Sequence, residues 1–252
     1  MEIEVFADVA SMSEAAANRG ADAIRRAIAD RGEANIIVAT GASQLSMLAK
    51  LADARDIDWQ RVTGFHLDEY IGLPFSHSAS FRQYLWIHFL RKLSLPMKRF
   101  HYLSGEGDAA AECERVGAIL DKHPIDVAFV GIGENAHLAF NDPPADFTTD
   151  VSYLCVELDE ACRQQQLGEG WFPTLEDVPT HAISMSIRRI LRSETIICTV
   201  PDERKASAIQ KSLEGPVTPE APASVLQEHA KTTVFLDAAA ASLLQDRGQQ
   251  VV

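Results

Sequence analysis

The sequence predicts an α/β protein: one three-layer αβα domain spanning residues 1–252, built on a mostly parallel central sheet. Three observations predict it. Apolar, β-branched runs alternate with segments of helical periodicity along the chain. Several of those runs are apolar at every position, as strands covered on both faces must be. No internal repeat, low-complexity tract or linker divides the chain, so strand–helix–strand units with right-handed crossovers account for its whole length.

The elements follow in order. EIEVF at 2–6 reads as the first strand, and a helix follows from Ser11 to Arg31. Within it Ser11-x-x-Glu14 forms a capping box, Ile24, Ala27 and Ile28 share a face, and Gly32 supplies the stop. Asn35 to Thr40 is a strand buried on both sides, and SQLSMLAKLADA at 43–54 resumes helical spacing. Further strands are expected at Val62–Leu67, Ile125–Val130, Thr195–Val200 and Thr232–Leu236, with edge strands at Phe100–Leu103, Ser152–Glu157 and His181–Met185. Helices are expected at about 79–93, 109–122, 202–213 and 237–245, and GPVTPEAPA at 215–223 as a loop.

Composition narrows the function classes. At 252 residues, 46% apolar and 7% aromatic, the chain is an ordinary globular sequence with a full-sized core. Its 23 Lys+Arg against 36 Asp+Glu leave a net charge of −13, which repels polyanions, and no dense Lys/Arg cluster compensates. Nucleic-acid and anionic-membrane roles are therefore disfavoured, and a small molecule is the expected partner. Cys113, Cys155, Cys162 and Cys198 include no C-x-x-C pair and no histidine at zinc spacing, so reduced thiols are expected rather than a disulfide framework or a structural metal. The start, MEIEVFADVASMSEAA, carries acids where a signal peptide needs positive charge. No apolar run approaches the roughly 18 residues of a membrane span. A soluble, cytoplasmic protein is the expectation; a homo-oligomer is left open.

In open parallel sheets chemistry collects beyond the carboxyl ends of the strands. There the chain places Thr40-Gly41-Ala42-Ser43, Asp68-Glu69-Tyr70, Gly131-Ile132-Gly133-Glu134-Asn135-Ala136-His137 and Pro201-Asp202-Glu203-Arg204-Lys205. The 40–43 turn offers small residues, free N–H groups and a hydroxyl to an anion such as a phosphate ester, or is simply a Ser N-cap. Lys205 can supply a counter-charge or be a solvated surface lysine. Gly131-x-Gly133-x-x-Ala136 superficially matches a dinucleotide fingerprint, but the prolines of HLAFNDPP stop any long helix, and no P-loop sequence is present. Asp68 ends an apolar strand, where partial burial raises a carboxyl toward a working base, though a capping or ion-paired acid fits the same position. His137, with Asn135 and Asp142 nearby, can pass protons near neutral pH. The coincidence of these groups at one sheet edge favours a proton-transfer enzyme over a binding module.

The segments ATGAS at 39–43, FHLDEYIGLP at 65–74, GIGENAHLAFNDPP at 131–144, ICTVPDERKASAIQ at 197–210 and LEGPVTPEAPASVLQ at 213–227 together resemble the glucosamine-6-phosphate deaminase family. That family lies within the wider group that also holds the 6-phosphogluconolactonases. The resemblance is collinear over most of the chain. It implies a Rossmann-like αβα fold and conversion of an amino-sugar 6-phosphate to fructose 6-phosphate with release of ammonia, without metal or redox cofactor. It implies that Asp68 is the enolisation base and His137 the ring-opening acid/base, flanked by Asn135 and Asp142. It also implies a phosphate site of the 41–43 loop, Gly41, Ala42 and Ser43, with Lys205, and Thr40 and Glu69 as further substrate contacts.

The chain departs from the family pattern at four places. Asp142 stands where Glu is more familiar, Asn135 where other members have an acid, and Ala136 where Gly is usual. The family's phosphate-binding arginine has no clear match: CRQQQLGEGWF at 162–172 offers Arg163 but sets Gln near the expected place. Two other readings compete: a lactonase using the same phosphate loop, and a sugar-phosphate sensor that has lost the reaction. HLAFNDPP differs from the lactonase pattern that follows the histidine, and retention of Asp68 and His137 argues against the sensor.

Overall fold

The computed structural model describes residues 1–245 and 249–250. Its strands are β1 (Glu2–Phe6), β2 (Ala34–Val38), β3 (Val62–His66), β4 (Asp68–Tyr70), β5 (Arg99–His101), β6 (Val127–Val130), β7 (Tyr153–Glu157), β8 (His181–Met185), β9 (Thr195–Val200), β10 (Thr232–Asp237) and β11 (Gln249–Gln250). Its α-helices are α1 (Val9–Arg31), α2 (Leu45–Ala52), α3 (Phe81–His88), α4 (Ala109–Leu120), α5 (Glu160–Gly168), α6 (Ile187–Leu191) and α7 (Ala206–Glu214). The main sheet has the order β11-β1-β10-β9-β6-β2-β3-β5, with every pairing parallel. The expected α/β fold class and mostly parallel sheet are therefore present.

Alternation along the strands divides the core. Ile36, Val38, Phe129, Ile197 and Phe235 face α1 and α2, whereas Ile37, Phe65, Val130, Cys198 and Leu236 belong to the opposite layer with residues of α4 and α7. Helix α1 starts where the Asp8 carboxylate accepts the Ser11 N–H at 2.8 Å, and it stops at Gly32 in a left-handed conformation, φ +83°. The expected capping box at Ser11 gives way to Asp8, three residues earlier, which already satisfies the N–H that such a box would serve.

Several expected elements are corrected. The segments 152–157 and 181–185 are not edges of the parallel sheet; β7 and β8 pair antiparallel with each other, and β8 pairs with β4, forming a second, three-stranded sheet. Asp68-Glu69-Tyr70, expected as a loop, is the strand β4 of that sheet. The helix expected at 237–245 is a run of turns, and much of the expected 215–223 loop leads into a 3-10 helix over Pro222–Glu228. Helix α5, absent from the expected elements, carries few apolar residues and buries Gln165 and Gln166 instead. A third apolar cluster, Tyr70, Phe81, Phe140, Leu158 and Phe172, packs between this second sheet and α5.

The topology fixes where a site can form. From β2 the chain moves outward to β3 and β5, then returns to the other side of β2 as β6 and continues to β9. The connections after β2 and β6 therefore diverge, opening a crevice at their carboxyl ends.

Candidate active site

That crevice is a cleft lined by Thr40, Gly41, Ala42, Ser43, Asp68, Gly133, His137, Gln165, Gln166, Glu169 and Lys205, among others. The loop after β2 forms its floor. Gly41 has φ +99°, a conformation that side-chain-bearing residues rarely adopt, and its carbonyl accepts the Tyr84 hydroxyl at 2.8 Å. Ala42–Gln44 make a 3-10 turn before α2, and no side chain caps it, so Ser43 is not the N-cap of a helix. Gln44 is fully buried and pins the loop: its amide donates to Thr199 O at 3.2 Å and accepts from Thr199 Oγ1 at 3.0 Å. Sequence reasoning passed over Gln44, since a buried polar residue carries no periodic signal.

Asp68 and Glu69, neighbours on β4, separate as strand residues must. Asp68 lines the cleft; its Oδ1 is buried and has no hydrogen-bond partner. Burial, with the Glu69 charge adding to it, pushes its carboxyl up to about 8. Glu69 points away, fully buried, and does not reach the cleft. Its carboxylate accepts from the N–H groups of Tyr70, Phe81 and Arg82 and from Ser80 Oγ, so it caps α3 in place of an N-cap side chain. Arg82 Nε completes the set at 3.3 Å. The expected substrate contact is thus a scaffold residue.

His137 is set by its own loop. Its N–H donates to Asn135 Oδ1 at 3.1 Å, and its Nδ1 lies 3.1 Å from Asp142 Oδ1. Asn135 Nδ2 donates to Asp142 at 3.0 Å and to Asp159 at 3.1 Å, while the Asp159 N–H donates to Asp142 Oδ2 at 3.0 Å. Burial works to raise the Asp142 carboxyl, but the His137, Asn135 and Asp159 contacts outweigh it and hold it below the usual carboxylate range. The shorter Asp therefore still reaches the histidine. A Cβ on Gly133 would come within 2.2 Å of His137 Nε2, so the glycine is required for the imidazole to lie where it does. Ala136 adopts φ +69° and is fixed by backbone bonds to Gly133 O and from Ala223 N; an alanine there holds about 1 kcal/mol of strain.

The remaining expected residues divide. Lys205 lines the cleft, its Nζ 3.6 Å from Glu169 and 3.7 Å from Glu134; burial pushes its ammonium down while those acids pull it back up. Arg163 does not come to the cleft: its guanidinium donates to Leu175 O and Val178 O, pinning the segment after α5. Gln165 and Gln166, from the same segment, do line the cleft. Gln165 accepts the Glu134 N–H and Gln166 accepts the Tyr70 hydroxyl, at 2.8 and 2.6 Å. Among the described residues, ligand atoms of His137, Asp142 and Cys162 approach within 4.8 Å of one another. Burial and the neighbouring acids raise the Cys162 thiol, keeping it a donor to Asp142 rather than a metal-binding thiolate.

A desolvated carboxylate, a carboxylate-held histidine and a buried lysine over a glycine turn make a site for moving protons on an anionic small molecule. The comparisons agree. Residues 7–235 match the family described as glucosamine-6-phosphate isomerases/6-phosphogluconolactonase. Glucosamine-6-phosphate deaminase of Listeria monocytogenes serovar 1/2a is 40% identical over 215 residues, covering 84% of this chain and 89% of the relative. That of Streptococcus pneumoniae (strain Hungary19A-6) is 38% identical over 215 residues, covering 85% and 88%. A solved structure described as a monomeric glucosamine-6-phosphate deaminase superposes with TM-score 0.88 at 30% identity, covering 97% of this chain and 100% of that one. Sequence match and fold thus converge, and the chain belongs to the glucosamine-6-phosphate isomerase/6-phosphogluconolactonase family.

Proposed function

We propose that the protein is an amino-sugar-phosphate deaminase/isomerase, converting glucosamine 6-phosphate and water to fructose 6-phosphate and ammonia. The observation that carries this reading is the unpartnered, buried Asp68 oxygen in the same cleft as His137. His137, oriented by Asp142, takes the anomeric hydroxyl proton and returns a proton to the ring oxygen, opening the sugar. The C1 carbonyl then acidifies the C2 hydrogen. Asp68 removes it, and the electron pair forms an enolamine that is reprotonated at C1. The resulting C2 iminium adds water, and ammonia leaves. Lys205 and the 40–43 turn hold the phosphate.

Lactone hydrolysis would leave a desolvated Asp68 without a task, and a sensor would have no use for so costly a carboxylate. The four free cysteines suit a reduced, cytoplasmic setting, which we adopt as part of this reading. Among the described residues no helix is long and apolar enough to cross a membrane. The test is ammonia release from glucosamine 6-phosphate and galactosamine 6-phosphate, with 6-phosphogluconolactone hydrolysis in parallel. Ammonia from either sugar, lost in Asp68→Asn, is expected and identifies the epimer. Lactone hydrolysis without ammonia, or silence in all three assays with thermal stabilisation by the sugar phosphates, overturns it.

A further inference from the structure

The anion end of the cleft already holds acids. Lys205 Nζ lies 3.6 Å from Glu169 Oε1 and 3.7 Å from Glu134 Oε1. Both separations exceed the roughly 2.7–2.9 Å of a charge-assisted hydrogen bond, so the ammonium is shared between two carboxylates and tightly bonded to neither. Glu169 is the stronger of the two: its side chain is 7% exposed, against 33% for Glu134, so its charge acts with less solvent screening. It is also held in place, its Oε1 accepting from Gln165 Nε2 at 2.8 Å and its Oε2 from Trp171 Nε1 at 3.1 Å. Lys205 and these two acids carry a net negative charge before any ligand arrives. Arg204 adds a cation 3.8 Å from Glu134, but it is about half exposed and already bonded to Asp202.

A phosphate ester placed on Lys205 therefore meets a buried carboxylate, and the two compete for one ammonium. We propose that Glu169 is an intramolecular anion set at the phosphate subsite of the cleft, and that a sugar phosphate binds by taking Lys205 from it. Glu169 then sets affinity for the anionic end of the substrate. The identity of that substrate rests on the function proposed above; the competition rests on the residues alone. Displacement has a built-in reporter, because Trp171 loses its acceptor when Glu169 moves. Its ring also meets Tyr84 edge to face at 6.0 Å, and the Tyr84 hydroxyl holds Gly41 of the phosphate turn. Trp59 lies in the core and Trp86 at the surface, away from this chain of contacts.

The probe is inorganic phosphate, titrated calorimetrically into the full-length protein, with tryptophan fluorescence followed in parallel. Glu169→Gln keeps the shape and removes the charge; it is expected to bind phosphate at least about tenfold more tightly, with the KM for glucosamine 6-phosphate falling more than kcat changes. Glu134→Gln is expected to tighten binding less, and Glu169→Asp to keep the weaker, wild-type affinity. Phosphate is expected to change the fluorescence of the wild type but not of Trp171→Phe. Unchanged or weaker phosphate binding by Glu169→Gln overturns the proposal. So does a wild-type fluorescence change that survives in Trp171→Phe, a test that stands even where Glu169→Gln does not fold. Phosphate binding does not depend on turnover: tightening without any ammonia release would leave this inference standing and remove the deaminase, while ammonia release without tightening would do the reverse.

Discussion

Asp68 and Glu69 are consecutive residues, both buried, yet Asp68 has an oxygen with no hydrogen-bond partner while Glu69 accepts from Tyr70, Ser80, Phe81 and Arg82. One carboxylate is left reactive because its neighbour on the other face of the strand holds the scaffold.

Glu69 should therefore report on stability rather than on substrate binding. In Glu69→Gln the buried pair with Arg82 is lost, and one donor group replaces an acceptor among N–H groups that need it. Arg82 keeps Glu106 at 2.9 Å, so the cost is that of buried N–H groups losing an acceptor, about 1–3 kcal/mol. Chemical denaturation should show that loss, while the KM of the surviving folded protein stays near wild type. A normal melting curve with a raised KM would return Glu69 to the substrate.

Asp68 links pH to both rate and stability. Its folded carboxyl titrates near 8, against an ordinary value of 3.8, so the native state holds a proton that the unfolded chain releases between those values. Stability contributed by that protonation is complete below the ordinary value and is lost as pH rises toward 8. Catalysis runs the other way, because the base works deprotonated, so kcat/KM should climb with pH up to about 8. Asp68→Asn should lose about 10²–10⁴-fold in turnover. It should also melt higher than wild type, by more at pH 9 than at pH 6; a difference independent of pH would mean that Asp68 is not the titrating group.

The parallel sheet was legible because buried strands carry runs such as IIV at 36–38, apolar on both faces, leaving no helical or half-exposed alternative. The second sheet was not, since pairing of β4 with β8 is long-range and β7 alternates as any edge strand does. The polar composition of α5 hid a helix whose buried glutamines accept the Glu134 N–H and the Tyr70 hydroxyl. Asp68, His137 and Lys205, singled out from their positions after strands, line one cleft. Glu69 and Arg163 were misplaced because adjacency in sequence says nothing of which way a side chain turns. Glu169 was missed because no pattern marks an acid set beside a buried lysine.

Gly133 should behave as part of the catalytic machinery although it has no side chain. A methyl group there lies 2.2 Å from His137 Nε2, so Gly133→Ala forces the imidazole out of position. A displacement of about an ångström can cost 10²-fold in rate, and kcat should fall by about that factor. Phosphate binding should be little changed, because Lys205 is on another loop. An unaltered kcat would mean that His137 does not act from this position.

Asn135 provides the sharpest test of how the histidine is held. Its amide nitrogen donates to both Asp142 and Asp159, bridging two carboxylates that would otherwise repel each other. Asn135→Asp replaces that donor with an acceptor and brings a third carboxylate to the same point. One of the three must then hold a proton or move away. Asp142 loses its grip on His137 in either case, so kcat/KM should fall about tenfold or more, with the acidic limb of the pH profile displaced upward. The readout is the pH–rate profile beside that of wild type. Superimposable profiles would show that the Asn135 donor does not tune the His137–Asp142 pair.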